Sequence, residues 1–161
     1  MSSDRREKSP SSGAALKAQA LRWLANREHS RQELRSKLLR VAGDADAQTE
    51  IDALLEQLSA QGHLSDARFI ESRLHARTAR FGNRRIEHEL RQHGLAPGPD
   101  TQSQLQATEL ARAREVWGKK FGQRANDAAG RARQARFMFA RGFSADVVHK
   151  IVSTDHGDES L

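Results

Sequence analysis

The sequence predicts an all-α protein built as three tandem three-helix repeats that form an elongated or curved array. Three observations predict it. Apolar residues recur at spacings of three and four, as in Leu16, Ala20 and Leu24 or Ile51, Leu54, Leu55 and Leu58, which is the period of one helix face. Aromatic content is only 5%, with no Tyr, which argues against a β sandwich. A helical segment also recurs. GNRRIEHELRQHG at 82–94 aligns with GRARQARFMFARG at 130–142, with glycines at the same separation, early basic residues, and Leu90 matching Met138. SRQELRSKLLRVAG at 30–43 follows the same plan with one extra residue and puts Leu38 in that register. A single three-helix unit buries little apolar surface, so neighbouring units must stack.

Residues 1–13, MSSDRREKSPSSG, carry charges without an apolar anchor, so a disordered tail is expected there and a flexible acidic one at 153–161. The first repeat, 14–64, opens with the Leu16–Leu24 stripe. Ser30 followed by Glu33 reads as a capping box that starts its second helix, which VAGDAD at 41–46 ends. The Ile51–Leu58 stripe is the third helix, closed by Gln61-Gly62-His63-Leu64. In the second repeat, 65–107, Ser65-Asp66 starts a helix running through Phe69, Ile70 and Leu74 to Phe81, before Gly82 and the basic copy at 82–94. APGPDTQSQ at 96–104 stands where that repeat's third helix belongs, and its prolines and glycine favour a loop. Either the helix is short, from near Asp100, or it merges with a helix over Leu105–Phe121. The third repeat, 108–152, has a loop at 123–126, the copy at 130–142, and a last helix capped by Ser144 with Val147, Val148 and Ile151 facing inward.

Composition narrows the function classes. There is no Cys, which excludes disulfides, thiolate metal sites and cysteine nucleophiles and points to a reducing, cytoplasmic compartment. No apolar run follows the charged N-terminus, so neither a signal peptide nor a membrane anchor is expected, and FMFA at 137–140 is far too short to span a bilayer. The net charge of +6 is unevenly placed. Residues 68–91 carry seven Arg against Glu71, Glu87 and Glu89, and residues 112–141 carry nine Lys or Arg against Glu115 and Asp127. Two such runs point to a polyanion or an acidic protein partner rather than to solvated helix surface alone.

The segment at 82–94 also invites a metalloprotease reading, which its spacing rejects. A zinc helix sets two histidines four apart, whereas His88 and His93 are five apart. At about 100° per residue they diverge by about 140°, too wide for one ion. No GxxxxGK[ST] phosphate loop, GxSxG elbow or paired carboxylates in an apolar setting are present. A binder without catalytic residues, metal or cofactor is therefore expected. Trp23, Trp117 and Phe81 sit at helical spacing among leucines and read as core rather than as base-stacking platforms.

Three stretches, LRWLANREHSRQELRSKLL at 21–39, GHLSDARFIESRLHARTARFGNRRIEHELRQHGL at 62–95 and RQARFMFARGFSADVVHKIV at 133–152, resemble the RecX family of recombinase regulators. The likeness covers about residues 16–152, with the signatures in the family's order. It implies a cytoplasmic all-α protein of tandem three-helix repeats that binds the RecA recombinase filament in its groove. It further implies suppression of strand exchange, ATP hydrolysis and co-protease activity, with no catalytic residues. The chain departs from the family pattern at 96–104, which is short and proline-rich, and at His63, where an aromatic is common.

The basic residues supply the docking candidates. Arg73, Arg77, Arg80 and Arg84, spaced four, three and four, would line one stripe if a helix persisted through them. Gly82 is expected to break that helix and bend the stripe at a joint between two units. Arg84 and Arg85 then fall in the first turn of the next helix, where their charge opposes the dipole, a hint of an anion there. Arg91, Lys119 and Lys120 extend the surface, and Arg124, Arg131, Arg133 and Arg136 form a second zone. The partner expected is the recombinase filament, with single-stranded DNA phosphates inside it as a further contact and a monomer favoured. The alternative is a DNA-binding regulator that lays one helical unit on duplex DNA.

Overall fold

The computed structural model describes residues 13–153. Most of both expected tails therefore lies outside the described residues, although Gly13 and Ser153 are helical. Among the described residues the chain is helical without strands. In order come α1 (Gly13–Asn26), α2 (Arg31–Ala42), a 3-10 turn at Ala45–Ala47, α3 (Gln48–Ala60), α4 (Asp66–Arg77), α5 (Asn83–Gln92), α6 (Pro99–Lys120), α7 (Ala128–Ala140) and α8 (Ala145–Ser153). The chain divides within α4 into two compact units, Met1–Ser72 and Arg73–Leu161.

The first unit follows its sequence signals closely. Ser30 adopts extended backbone and its hydroxyl accepts from the Glu33 N–H at 3.1 Å, which supplies one of the partners that a helix start lacks. Gly43 ends α2 in the left-handed conformation that glycine tolerates, with its N–H on the Leu39 carbonyl. Leu16 and Ala20 of α1, Leu34 and Leu38 of α2, and Ile51, Leu54, Leu55 and Leu58 of α3 close one core, joined by Leu64. Asp66 accepts from the Arg31 backbone N–H at 3.1 Å, tying the start of α4 to the start of α2.

In the second unit α6 packs against α5, α7 and α8. Ala113, Trp117, Met138, Phe143, Val148, Ile151 and Val152 form its main core, while Val147 is only partly buried against it. The choice left open at 96–104 resolves as a merger, because α6 runs unbroken from Pro99. Proline fits there since the first helical residue has no N–H partner to lose and its φ is already helical. One helix thus spans the expected end of the second repeat and the expected beginning of the third.

The expected extension of α4 to Phe81 does not occur, for the helix stops at Arg77. The half-buried Arg112 of α6 explains the stop. Its guanidinium donates to the carbonyls of Thr78 at 3.2 Å, Phe81 at 3.0 Å and Leu105 at 3.2 Å, and to the side chain of Asn83. Carbonyls held by an arginine make the turn without further helical partners. Nearby, buried Glu109 accepts from the Ser144 backbone N–H at 2.7 Å, so a carboxylate from α6 meets the start of α8.

The repeated segments agree best at their C-terminal ends. Leu38, Leu90 and Met138 are all buried. Gly43, Gly94 and Gly142 all have positive φ, at 63°, 70° and 86°. Their first glycines are not equivalent, since Gly82 precedes α5 whereas Gly130 is the third residue of α7.

Candidate functional site

The basic residues are organised around a joint in the second unit, where the beginning of α5 meets the end of α7. The Gly82 N–H donates to the Arg141 carbonyl at 2.8 Å and the Arg84 N–H to the Gly142 carbonyl at 3.0 Å. Donors left over at one helix start thus satisfy acceptors left over at another helix end. The approach needs glycine on both sides: a Cβ on Gly82 would collide with the Gly142–Phe143 backbone, and one on Gly142 with Arg85.

This contact overturns one expectation. The first turn of α5 is not a vacant anion seat awaiting a ligand, because the negative end of α7 already occupies it. The charges of Arg84 and Arg85 are therefore partly offset by those carbonyls.

Phe81, immediately before the joint, is buried as expected and holds the arginines together. The guanidinium carbons of Arg85, Arg141, Arg77 and Arg80 lie 4.0, 5.4, 5.6 and 5.6 Å from its ring centroid. These are cation–π distances. Acid compensation is thin, for Arg77 and Arg85 share one carboxylate, that of Glu89, at 3.2 and 3.8 Å. Arg77 Nε lies near Glu89 without hydrogen-bond alignment, so that contact is electrostatic.

The continuous stripe over 73–84 does not form, because α4 ends and Arg80 falls in the following turn. Its members distribute among neighbouring grooves instead. Arg73 and Arg77 line one with Glu89 and His93. Arg80 lines a second with Lys119, Lys120, Phe137 and Arg141, where Lys120 and Arg141 lie 5.4 and 5.1 Å from the Phe137 ring. Arg84, Arg85 and Arg91 line a third with Phe139.

The second expected zone is mixed. Arg124 donates to the Val152 carbonyl at 2.8 Å and Arg131 to the carbonyls of Asn126 at 3.1 Å and Ala125 at 3.4 Å, so both fasten loop to helix. Arg133 and Arg136 are exposed on α7. Among the described residues no ion pair forms at Arg80, Arg84, Arg91, Lys119, Lys120, Arg133 or Arg136.

Sequence reasoning missed three residues. Arg141 bridges Phe81 and Phe137, Phe139 is 45% exposed on the last turn of α7, and Arg112 is structural. The repeat alignment held the signal for Arg141, which precedes the matched glycine. Arg112 carried none, as the partners that fix the turn, at Thr78, Phe81 and Asn83, lie about thirty positions away, and only the Thr108 hydroxyl and the Leu105 carbonyl are near in sequence. Burial pushes its guanidinium below the ordinary arginine value, with Glu109 opposing. Among the described residues no cluster of His, Asp and Glu could hold a metal ion, and no helix is long and apolar enough to cross a membrane.

Comparison with known proteins decides the family. Residues 65–98 match the family model described as the second three-helix domain of RecX, and residues 107–152 match that of the third. A regulatory protein RecX from Herminiimonas arsenicoxydans is 53% identical over 132 residues, covering 81% of this chain and 85% of the relative. The chain belongs to the RecX family. Regulatory protein RecX of Ralstonia nicotianae, 45% identical, covers 94% of the chain and 98% of its own length, so the likeness extends through α1–α3. That of Leptothrix cholodnii is 48% identical over 145 residues, 88% of this chain and 90% of the relative. The two RecX domain matches leave 99–106 between them, the opening of α6 where this chain merges two helices. These RecX relatives are named regulatory proteins.

Proposed function

We propose that the chain is a non-enzymatic cytoplasmic regulator that binds the RecA recombinase filament in its groove and inhibits its ATPase, strand-exchange and co-protease activities. The observation that carries this reading is the excess of cations in the second unit. Residues 73–153 hold sixteen Lys or Arg against seven Asp or Glu, and several line grooves beside aromatic rings fixed by the α5–α7 joint. Such a surface steers toward acidic protein and phosphate rather than building a catalytic centre. The chain is organised as repeats at 14–64, 65–107 and 108–152 and acts as a monomer.

The runner-up, a regulator that reads duplex DNA, finds less support. A recognition helix presents its N-terminal residues to base edges, whereas the first turn of α5 is held by its backbone against the end of α7. The test is hydrolysis of ATP by RecA on single-stranded DNA with purified protein added at substoichiometric amounts. Inhibition without sequence preference is the expected outcome. A sequence-specific shift of duplex DNA with hydrolysis unchanged would replace this reading with the runner-up.

A further inference from the structure

We infer that Phe139 is a stacking platform for one unpaired nucleobase, with Arg84 and Arg91 holding the flanking phosphates of a single strand. Phe139 is 45% exposed, one of two large apolar side chains left in solvent among the described residues. It lies in an open groove of about 610 Å³ whose other wall is α5, through Arg84, Arg85, Glu87, His88 and Arg91. Arg84, His88 and Arg91 are spaced four and three, so they follow one face of that helix. The face is aligned with Phe139 by the backbone bonds from Gly82 to Arg141 and from Arg84 to Gly142. Platform and cations are thus preorganised on two helices rather than carried on a loop.

The chemistry of the groove selects the occupant. A protein hot spot seats an aromatic in a packed, desolvated apolar pocket, but the lining here is mostly polar, with three guanidinium groups against the one carboxylate of Glu87. An isolated exposed ring among guanidinium groups fits the pattern for single strands, in which bases stack on aromatics while cations follow the phosphates. Duplex DNA is excluded because its bases are already stacked and paired. Arg85 is committed to Phe81 and Glu89, which leaves Arg84 and Arg91 for phosphate.

The inference rests on the proposed function for its setting, a strand held by a recombinase, yet the free full-length chain can test it. Phe139→Trp places an indole at the platform, with Trp23 and Trp117 as background. Its emission should fall on adding oligothymidylate and stay constant with inorganic polyphosphate at equal phosphate. Phe139→Ser should weaken oligothymidylate binding by about 5- to 150-fold, the range that loss of one stacked base implies, with the melting temperature and salt slope unchanged. Arg84→Ala with Arg91→Ala should instead flatten the salt slope by about 1.4. Equal quenching by polyphosphate, or a Phe139→Ser chain that binds oligothymidylate like the parent, would overturn the platform. So would a Phe139→Ser chain that binds oligothymidylate normally but no longer inhibits RecA, since Phe139 would then dock on protein. Stacking that persists in a parent chain unable to inhibit RecA would sustain this inference and remove the proposed function alone.

Discussion

The two units treat positive charge in opposite ways. Residues 13–72 carry eight Lys or Arg against nine Asp or Glu, and four of their arginines pair with carboxylates: Arg31 with Glu56 and Arg35 with Asp52 across helices, each at 2.8 Å, Arg68 with Glu28 at 2.9 Å, and Arg27 with Glu33. In residues 73–153 the cations outnumber the acids more than two to one. There guanidinium groups rest on Phe81 and Phe137 or donate to backbone carbonyls. An aromatic face or a carbonyl positions a cation without supplying a formal counter-charge. One unit is electrostatically closed and the other is held open, and this is how a chain of modest net charge can present a strong field from one part of its sequence.

If backbone carbonyls and glycine contacts hold the open unit together, breaking them should cost more than breaking any pair in the closed unit. Arg112→Ala strands the carbonyls of Thr78 and Phe81 and the side-chain amide of Asn83. At about 1–3 kcal/mol for each buried group left unsatisfied, a loss of at least about 3 kcal/mol is expected in denaturant unfolding. Arg112→Lys should not rescue it, because an ammonium lacks the planar fork that reaches several acceptors. Gly142→Ala comes next, at about 2 kcal/mol or more, since it combines a φ of 86° with a collision against Arg85. Hydrogen exchange should place both losses in α5–α8. Equal loss of protection in α1–α3 would show that the units do not differ as described.

The contrast also marks what could be read beforehand. The closed unit was nearly transparent, because Ser30, Gly43 and the Leu and Ile stripes act through partners three or four residues away. The shared register of Leu38, Leu90 and Met138 was equally plain, being a property of helical period. The open unit was less so. The stripe from Arg73 to Arg80 rested on a helix running to Phe81, and α4 stops at Arg77 where Arg112 captures the turn from a distant helix. FMFA at 137–140 contains two aromatics two residues apart, of which Phe137 packs on the core and Phe139 projects into solvent. A choice between them depends on which way α7 lies against its neighbours, and that is long-range information.

A smaller effect should appear in binding. Lys119→Glu with Arg80→Glu reverses charge in the groove floored by Phe137, and about tenfold more protein should be needed for half-inhibition of RecA hydrolysis, mainly through slower association. Arg31→Glu with Arg35→Glu makes the same formal change in the closed unit and should leave half-inhibition nearly unmoved. A similar loss from both would mean that net charge, not the open unit's surface, governs docking.

The smallest expected effect is a pH response confined to the closed unit. His29 is buried there, with Nδ1 3.0 Å from the Arg27 carbonyl and Nε2 3.0 Å from the Lys37 ammonium. That arrangement suits a neutral ring which donates at Nδ1 and accepts at Nε2. Burial pushes the imidazole below its ordinary value; the Arg27 carbonyl opposes, and of the nearby charges Arg27 and Lys37 lower it while Glu33 raises it. Because the folded ring resists a proton that the unfolded chain accepts, the stabilisation is complete above the ordinary histidine value of about 6.5 and declines as pH falls below it. Lys37 also sits 5.1 Å from the Trp23 ring centroid, so protonating His29 should displace it and alter that indole. In a Trp117→Phe chain, the remaining emission should change between about pH 7 and 5, and His29→Gln should abolish the change. In a Trp23→Phe chain, Trp117 reports the other unit and should stay constant. A response from Trp117 instead would place the titration in the open unit and remove His29 as its source.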